Sequence, residues 1–212
     1  MAMSTAQKVL DVALSYVGTK EDPPYSNNVI FNREYWGERS SYADLPWCCT
    51  FVWYVFKKAM SSSSFLDGKK TASCEVVYNW GRDSKRLIQA SKAQPGDLVI
   101  FHWKDSSAYY SHIGFIIENQ GTQYKTVEGN TSNSGSQDNG GAVLIKYRPI
   151  NETIAAIVRP DYWNSTISTD DIDNSHSSNN SSSSGSSSYT PGRYIPWDNG
   201  SGFQTIKESI IN

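Results

Sequence analysis

The sequence predicts an α+β domain in which N-terminal helices pack on an antiparallel sheet of about five or six strands. Three observations predict it. Apolar residues recur at helical spacing in the first part of the chain. After QPGDLVIF at 94–101 the pattern changes to short runs rich in Val, Ile, Phe and Tyr. The pair Gln120-Gly121 separates two such runs, as in a tight hairpin.

Each element has its own signal. Ser4 reads as an N-cap, with Gln7 three residues on as its capping-box partner. Val9, Leu10, Val12, Ala13, Tyr16 and Val17 follow at helical spacing, and Gly18 fits the stop. Residues 19–43 contain Pro23, Pro24, Asn27, Asn28 and Gly37 and read as an ordered irregular loop. Asp44 can cap a second helix that runs to about Met60. Phe51, Val52, Trp53, Val55 and Phe56 make it apolar nearly all round, so it should lie buried between layers. Ser73 can cap a third helix through Val76, Val77 and Trp80 to about Arg82. Strands are expected at 97–103, 111–119, 122–129, 142–148 and 154–159. In 142–148, Val143, Ile145 and Tyr147 alternate with more polar neighbours, as in a half-solvated strand.

The domain is expected to cover 1–162. Residues 163–188 read as a Ser/Asn-rich disordered linker, because from Asn174 to Ser188 nearly every residue is Ser or Asn. Residues 189–212 are a short tail, too small for a core of its own.

Bulk properties exclude several function classes. Nineteen basic against 21 acidic residues give a net charge of −2, too weak a field to argue for nucleic acid or an anionic membrane. No apolar run approaches a bilayer span, so no membrane insertion is expected. The N-terminus, MAMSTAQKVLDVALSYVG, carries Lys8 and Asp11 within its apolar part and lacks the layout of a signal peptide. The chain is therefore expected to be cytoplasmic at synthesis and, if it acts outside, to need another route of release. Three cysteines and three histidines with no CxxC pair do not support a structural zinc site, and free thiols are expected.

Three segments carry chemistry. Cys48, in PWCCTFVWYVF at 46–56, lies near the start of the apolar helix, where the helix dipole favours a thiolate. His112 opens the strand SHIGFI at 111–116. Alternation places it on one face with Gly114, which leaves space beside the ring, while Ile113 and Phe115 face the core. Glu128 and Asn130, in TVEGN at 126–130, are two apart on one strand face, and either could orient the imidazole. Nucleophile, base and orienting group are the parts of a thiol acyl-transfer site. His102, mid-strand between Phe101 and Trp103, is a rival base better suited to a pocket wall. His176 falls in the linker, Cys49 and Cys74 suit buried structural thiols, and Asp97 suits a turn anchor.

Taken together, VGTKE at 17–21, SNNVIFN at 26–32, YWG at 35–37, PWCCTFV, TASC at 71–74, QPGDLVIF, SHIGFI and TVEGN resemble the CHAP family across roughly residues 5–162. These are cysteine- and histidine-dependent amidohydrolases/peptidases of the papain-like superfamily. The resemblance implies a peptidoglycan hydrolase, either an N-acetylmuramoyl-L-alanine amidase or an endopeptidase, of phage endolysin or bacterial autolysin type. It maps the nucleophile to Cys48, the base to His112, the third polar residue to Glu128 and a fourth to Asn130. Cys49 stands where the family usually has a small residue such as alanine. The implied partner is bacterial peptidoglycan, with a monomeric enzyme, holin-type release, and a tail that fits a truncated wall-binding module. Some members bind calcium in an acidic loop before the cysteine. Here that loop has Glu21, Asp22, Asn27, Asn28 and Asn32 without a close Asp-x-Asp pattern, so no cofactor is expected. A wall-binding module without activity and a thiol acyltransferase are the alternatives.

Overall fold

A computed structural model describes residues 5–60, 65–104, 106–137, 139–162, 167 and 169–176. Four α-helices come first: α1 Thr5–Ser15, α2 Ile30–Trp36, α3 Cys48–Met60 and α4 Cys74–Asp83. Six strands follow: β1 Leu87–Ile88, β2 Leu98–Phe101, β3 His112–Asn119, β4 Gln123–Thr131, β5 Ala142–Pro149 and β6 Ile154–Val158. They form one antiparallel sheet in the order β1-β6-β2-β3-β4-β5. The α+β architecture is the expected one.

Helix α3 is the centre of the domain. Every residue from Cys48 to Phe56 is buried, as its all-round apolar sequence predicts. It packs on α1 and α2 on one side and on β3 and β4 on the other. Close approach to β4 requires Gly129, since a Cβ there would lie 2.7 Å from the Cβ of Phe51. The aromatic residues mostly fill this core. Phe31 meets Phe51 edge-on at 4.9 Å, and Phe56 stacks on Phe65 at 5.1 Å. A smaller apolar cluster, including Ile88, Val99, Phe101, Ile116 and Tyr124, is separate from this core.

Four details differ from the sequence reading. Helix α3 begins at Cys48 and not at Asp44. Its first helical bond runs from Phe51 N–H to the Trp47 carbonyl. Pro46 disfavours helical backbone at Leu45, so a start at Asp44 is barred. The loop 19–43 contains α2, whose N-cap Val29 makes no side-chain cap and leaves no sequence signal. In β5, Ile145 and Tyr147 are exposed at 38% and 55%, whereas Arg148 is only 8% exposed. The face expected to be half-buried thus turns outward beyond Val143, because Arg148 on the other face has a buried carboxylate to meet. Finally, residues beyond 162, in the range expected to be linker, include some that pack on β1. Asp171 and Asp173 exchange backbone bonds with Gln89 and Leu87, and Ile172 pairs with Ile88. The apolar and acidic residues that make these contacts precede the Ser/Asn run. The tail 189–212 and the linker beyond His176 lie outside the described residues, as does Ser4.

Candidate active site

Cys48 is the first residue of α3, and Cys48, Cys49 and Thr50 precede the first helical hydrogen bond. Their amides therefore form the open, electropositive end of the helix. His112 is the first residue of β3, and Glu128 lies opposite Gly114 on β4. The space beside the ring that Gly114 was expected to leave is filled by Glu128. A Cβ on residue 114 would lie 2.6 Å from the Glu128 Cγ. The missing side chain lets the carboxylate cross β3 and reach the imidazole.

His112 and Glu128 are both wholly buried, with His112 Nε2 3.1 Å from Glu128 Oε2. The carboxylate is saturated from its other sides. Arg148 Nε donates to Oε1 at 2.8 Å and its terminal nitrogen donates to Oε2 at 2.5 Å. Thr126 Oγ1 donates to Oε1 at 2.6 Å. Burial alone would raise the Glu128 pKa, but Arg148 and His112 outweigh it and hold it down at about 2. An ionised Glu128 fixes the tautomer, because Nε2 must carry a proton to donate. His112 Nδ1 is then left buried without a hydrogen-bond partner, and the Cys48 thiol also acts on that ring. Burial opposes charge on the ring, but Cys48 and Glu128 together raise its pKa to about 9.

A match to the CHAP domain family covers residues 40–130, which include Cys48, His112 and Glu128. Residues 40–130 are thus similar to a CHAP domain. Among solved structures, a lipoprotein-like protein of the NLP/P60 family from Staphylococcus aureus aligns with 20% identity and a TM-score of 0.38. The alignment covers 73% of this chain and 41% of that one, so the sequence spans less than half of that protein. No curated protein sequence matches.

The thiolate favoured by the helix dipole is not what the site holds at rest. Contact with the Cys74 thiol, 3.9 Å away, and burial push Cys48 well above its ordinary pKa, while His112 acts in the opposite sense. Cys48 is 5% exposed.

The remaining candidates fall into place around this group. Asn130 was expected on the same face as Glu128, but a register shift follows Glu128 and Asn130 takes a left-handed φ of 58°. Its amide donates to Asn139 at 3.2 Å and accepts from Gly141 N–H at 3.3 Å, tying down the 139–141 loop. His102 stacks on Tyr109 and bonds its carbonyl. His176 lies 3.0 Å from the Tyr78 hydroxyl. Asp97 anchors its turn through Gln94 N–H at 2.8 Å, as expected, and is also paired with Arg159. Cys49 donates to the Thr71 carbonyl.

In the acidic loop, side chains bond to the surrounding protein. Glu21 accepts from the indole of Trp47 at 2.7 Å, which fixes the residue before Cys48. The amides of Asn27, Asn28 and Asn32 donate to backbone carbonyls of Ala43, Asp22, Asn27 and Leu45. Among the described residues, no group of three or more His, Cys, Asp or Glu is placed to hold a metal ion. No helix among them is long and apolar enough to cross a membrane.

Arg148, Thr126 and Glu21 were not singled out as site residues from the sequence. Thr126 had a usable signal, since it shares a strand face with Glu128 two residues on. Arg148 lies 20 residues from Glu128 and opposite Tyr124, so only the β4–β5 register and a long side chain bring it in.

Proposed function

We propose that this protein hydrolyses an amide bond of bacterial peptidoglycan with Cys48 as nucleophile, His112 as base and acid, and Glu128 as the group that orients His112. The observation that carries this reading is the state of the imidazole. One nitrogen is held by an ionised carboxylate, and the other is buried, unpartnered and influenced by a thiol at a helix start.

The reaction begins when the pair Cys48–His112 loses one proton. The sulfur attacks the scissile carbonyl, and the first-turn amides of α3 stabilise the oxyanion. His112 delivers its Nδ1 proton to the leaving amine, which gives a thioester on Cys48. A water molecule then yields a proton to Nδ1, attacks the thioester and releases the acid. Throughout, Nε2–H donates to Glu128, and Arg148 and Thr126 keep that carboxylate charged and still. Asn130 supports the neighbouring loop.

The resting protonation has a consequence. His112 holds its proton to about 9 and Cys48 holds its own higher, so the reactive form fills as pH rises toward that value. Alkylation of Cys48 by iodoacetamide should therefore quicken from neutral pH toward about 9, read by peptide mass spectrometry. Digestion of purified sacculi by the native chain and by Cys48→Ala tests the activity itself. Native protein should release amino groups and the variant should not. Mass analysis of the new termini separates amidase from endopeptidase action. Retained lysis by Cys48→Ala would overturn the assignment of the nucleophile.

The depth of the sulfur favours one second reading. A thiol only 5% exposed suits a module that binds wall without cutting it. If Cys48 resists iodoacetamide in the folded protein and sacculi are bound without amine release, the binding module is the correct description.

A further inference from the structure

The proposed reaction uses one of three thiols, yet a second faces it. Cys48 Sγ and Cys74 Sγ lie 3.9 Å apart, and the two residues are 5% and 6% exposed. Each is the first residue of a helix, Cys48 of α3 and Cys74 of α4. The start of α4 is fixed by Ser73, whose Oγ accepts from Val76 N–H at 3.4 Å. Two helix N-termini thus present their sulfurs to each other; both positive ends favour an anionic or departing sulfur, against the raising effect of thiol contacts and burial on Cys48 and Cys74. A disulfide needs a sulfur separation of about 2 Å, so closure requires a further approach of about 2 Å. Cys49 is the poorer partner for Cys48, because it is adjacent on the same helix and its thiol is directed to the Thr71 carbonyl at 3.5 Å.

We infer that Cys48 and Cys74 form a reversible disulfide under peroxide, with Cys74 as the resolving thiol that converts an oxidised Cys48 into a protected, inactive form. The chemistry is balanced by one peroxide. The Cys48 sulfur attacks the O–O bond, becomes a sulfenic acid and releases one water. The Cys74 sulfur then attacks the Cys48 sulfur. The S–S bond forms, the S–O bond breaks, and the hydroxide leaves with the Cys74 proton as a second water. Two thiols are oxidised by two electrons and the peroxide is reduced to two waters. A dithiol reverses the bond. Loss of activity rests on Cys48 being the nucleophile, whereas the cross-link does not.

The test treats the full chain with hydrogen peroxide, then measures intact mass, non-reduced peptides and lysis of sacculi. The expected result is a loss of about 2 Da with Cys48 and Cys74 joined in one cross-linked peptide. Lysis should fall on the same time course and return with dithiothreitol. Cys74→Ser should lose the cross-link, gain about 32 Da as sulfinic acid on Cys48, and fail to recover. The inference is overturned if wild-type Cys48 over-oxidises without a cross-link, if both thiols stay reduced, or if Cys49 is the residue joined. A Cys48–Cys74 cross-link in a chain that never lyses walls leaves the disulfide standing and removes the hydrolase reading. Lysis without any cross-link does the reverse.

Discussion

Two arginine–carboxylate forks are buried in the same sheet, and they do different work. Arg148 grips Glu128 through two nitrogens, at 2.8 and 2.5 Å. Arg159 grips Asp97 through two nitrogens, both at 2.9 Å. The charges, geometry and burial are alike, yet the carboxylates respond in opposite directions. Glu128 is held down at about 2 despite burial, because His112 adds a second positive partner. Burial raises Asp97, with the nearby Asp171 adding to it, and Arg159 only partly offsets the effect. The remaining acceptor capacity decides the role. On Asp97 it meets the backbone N–H of Gln94 and closes a turn. On Glu128 it meets an imidazole whose far nitrogen is open.

Breaking each fork should therefore be read out differently. The largest effect is expected from Glu128→Gln, which keeps the size but removes the charge that orients His112. Turnover of sacculi should fall by about 10²–10⁴-fold, the usual range for losing general acid–base assistance. The same variant sharpens the comparison through pH. Glu128 has a folded pKa below its unfolded value, so its stabilisation is complete above about 4.5 and is lost as pH falls toward 2. In urea titrations the gap between native protein and Glu128→Gln should close across that window.

Next in size is Arg159→Met, which leaves Asp97 buried without its partner. Removing one member of a buried pair typically costs about 3–5 kcal/mol. The urea midpoint should drop accordingly, while turnover per folded molecule stays near native. An equal loss of turnover would erase the distinction between the forks. The smallest change is Gly114→Ala. The added methyl must displace the Glu128 side chain, for about 1–3 kcal/mol of overpacking. Activity should suffer more than stability, and Cys48 alkylation should lose part of its pH dependence.

The sequence carried the order of the elements and the three chemical segments because those signals are local. Apolar periodicity exposed α1, α3 and α4, and Ser73 caps α4 as its position suggested. What escaped was set by contacts distant in sequence. Strand β1 has two residues and exists because β6 and residues 171–173 lie beside it. Arg148 was not singled out because strand alternation cannot tell a solvated charge from one with a buried partner. The resting protonation of Cys48 depends on Cys74, 26 residues away, which no helix-dipole argument contains. Asn130, expected on the face of Glu128, has a positive φ and lies within a register shift, neither of which strand alternation contains.

The segment that returns along β1 also covers that edge of the sheet. Gln89 N–H reaches the Asp171 carbonyl, and Asp173 N–H reaches that of Leu87. Those groups would otherwise form a bare border to the sheet, a ready template for a foreign strand. A chain ending at Tyr162 would keep the whole proposed catalytic group and expose that border, which residues 171–173 cover.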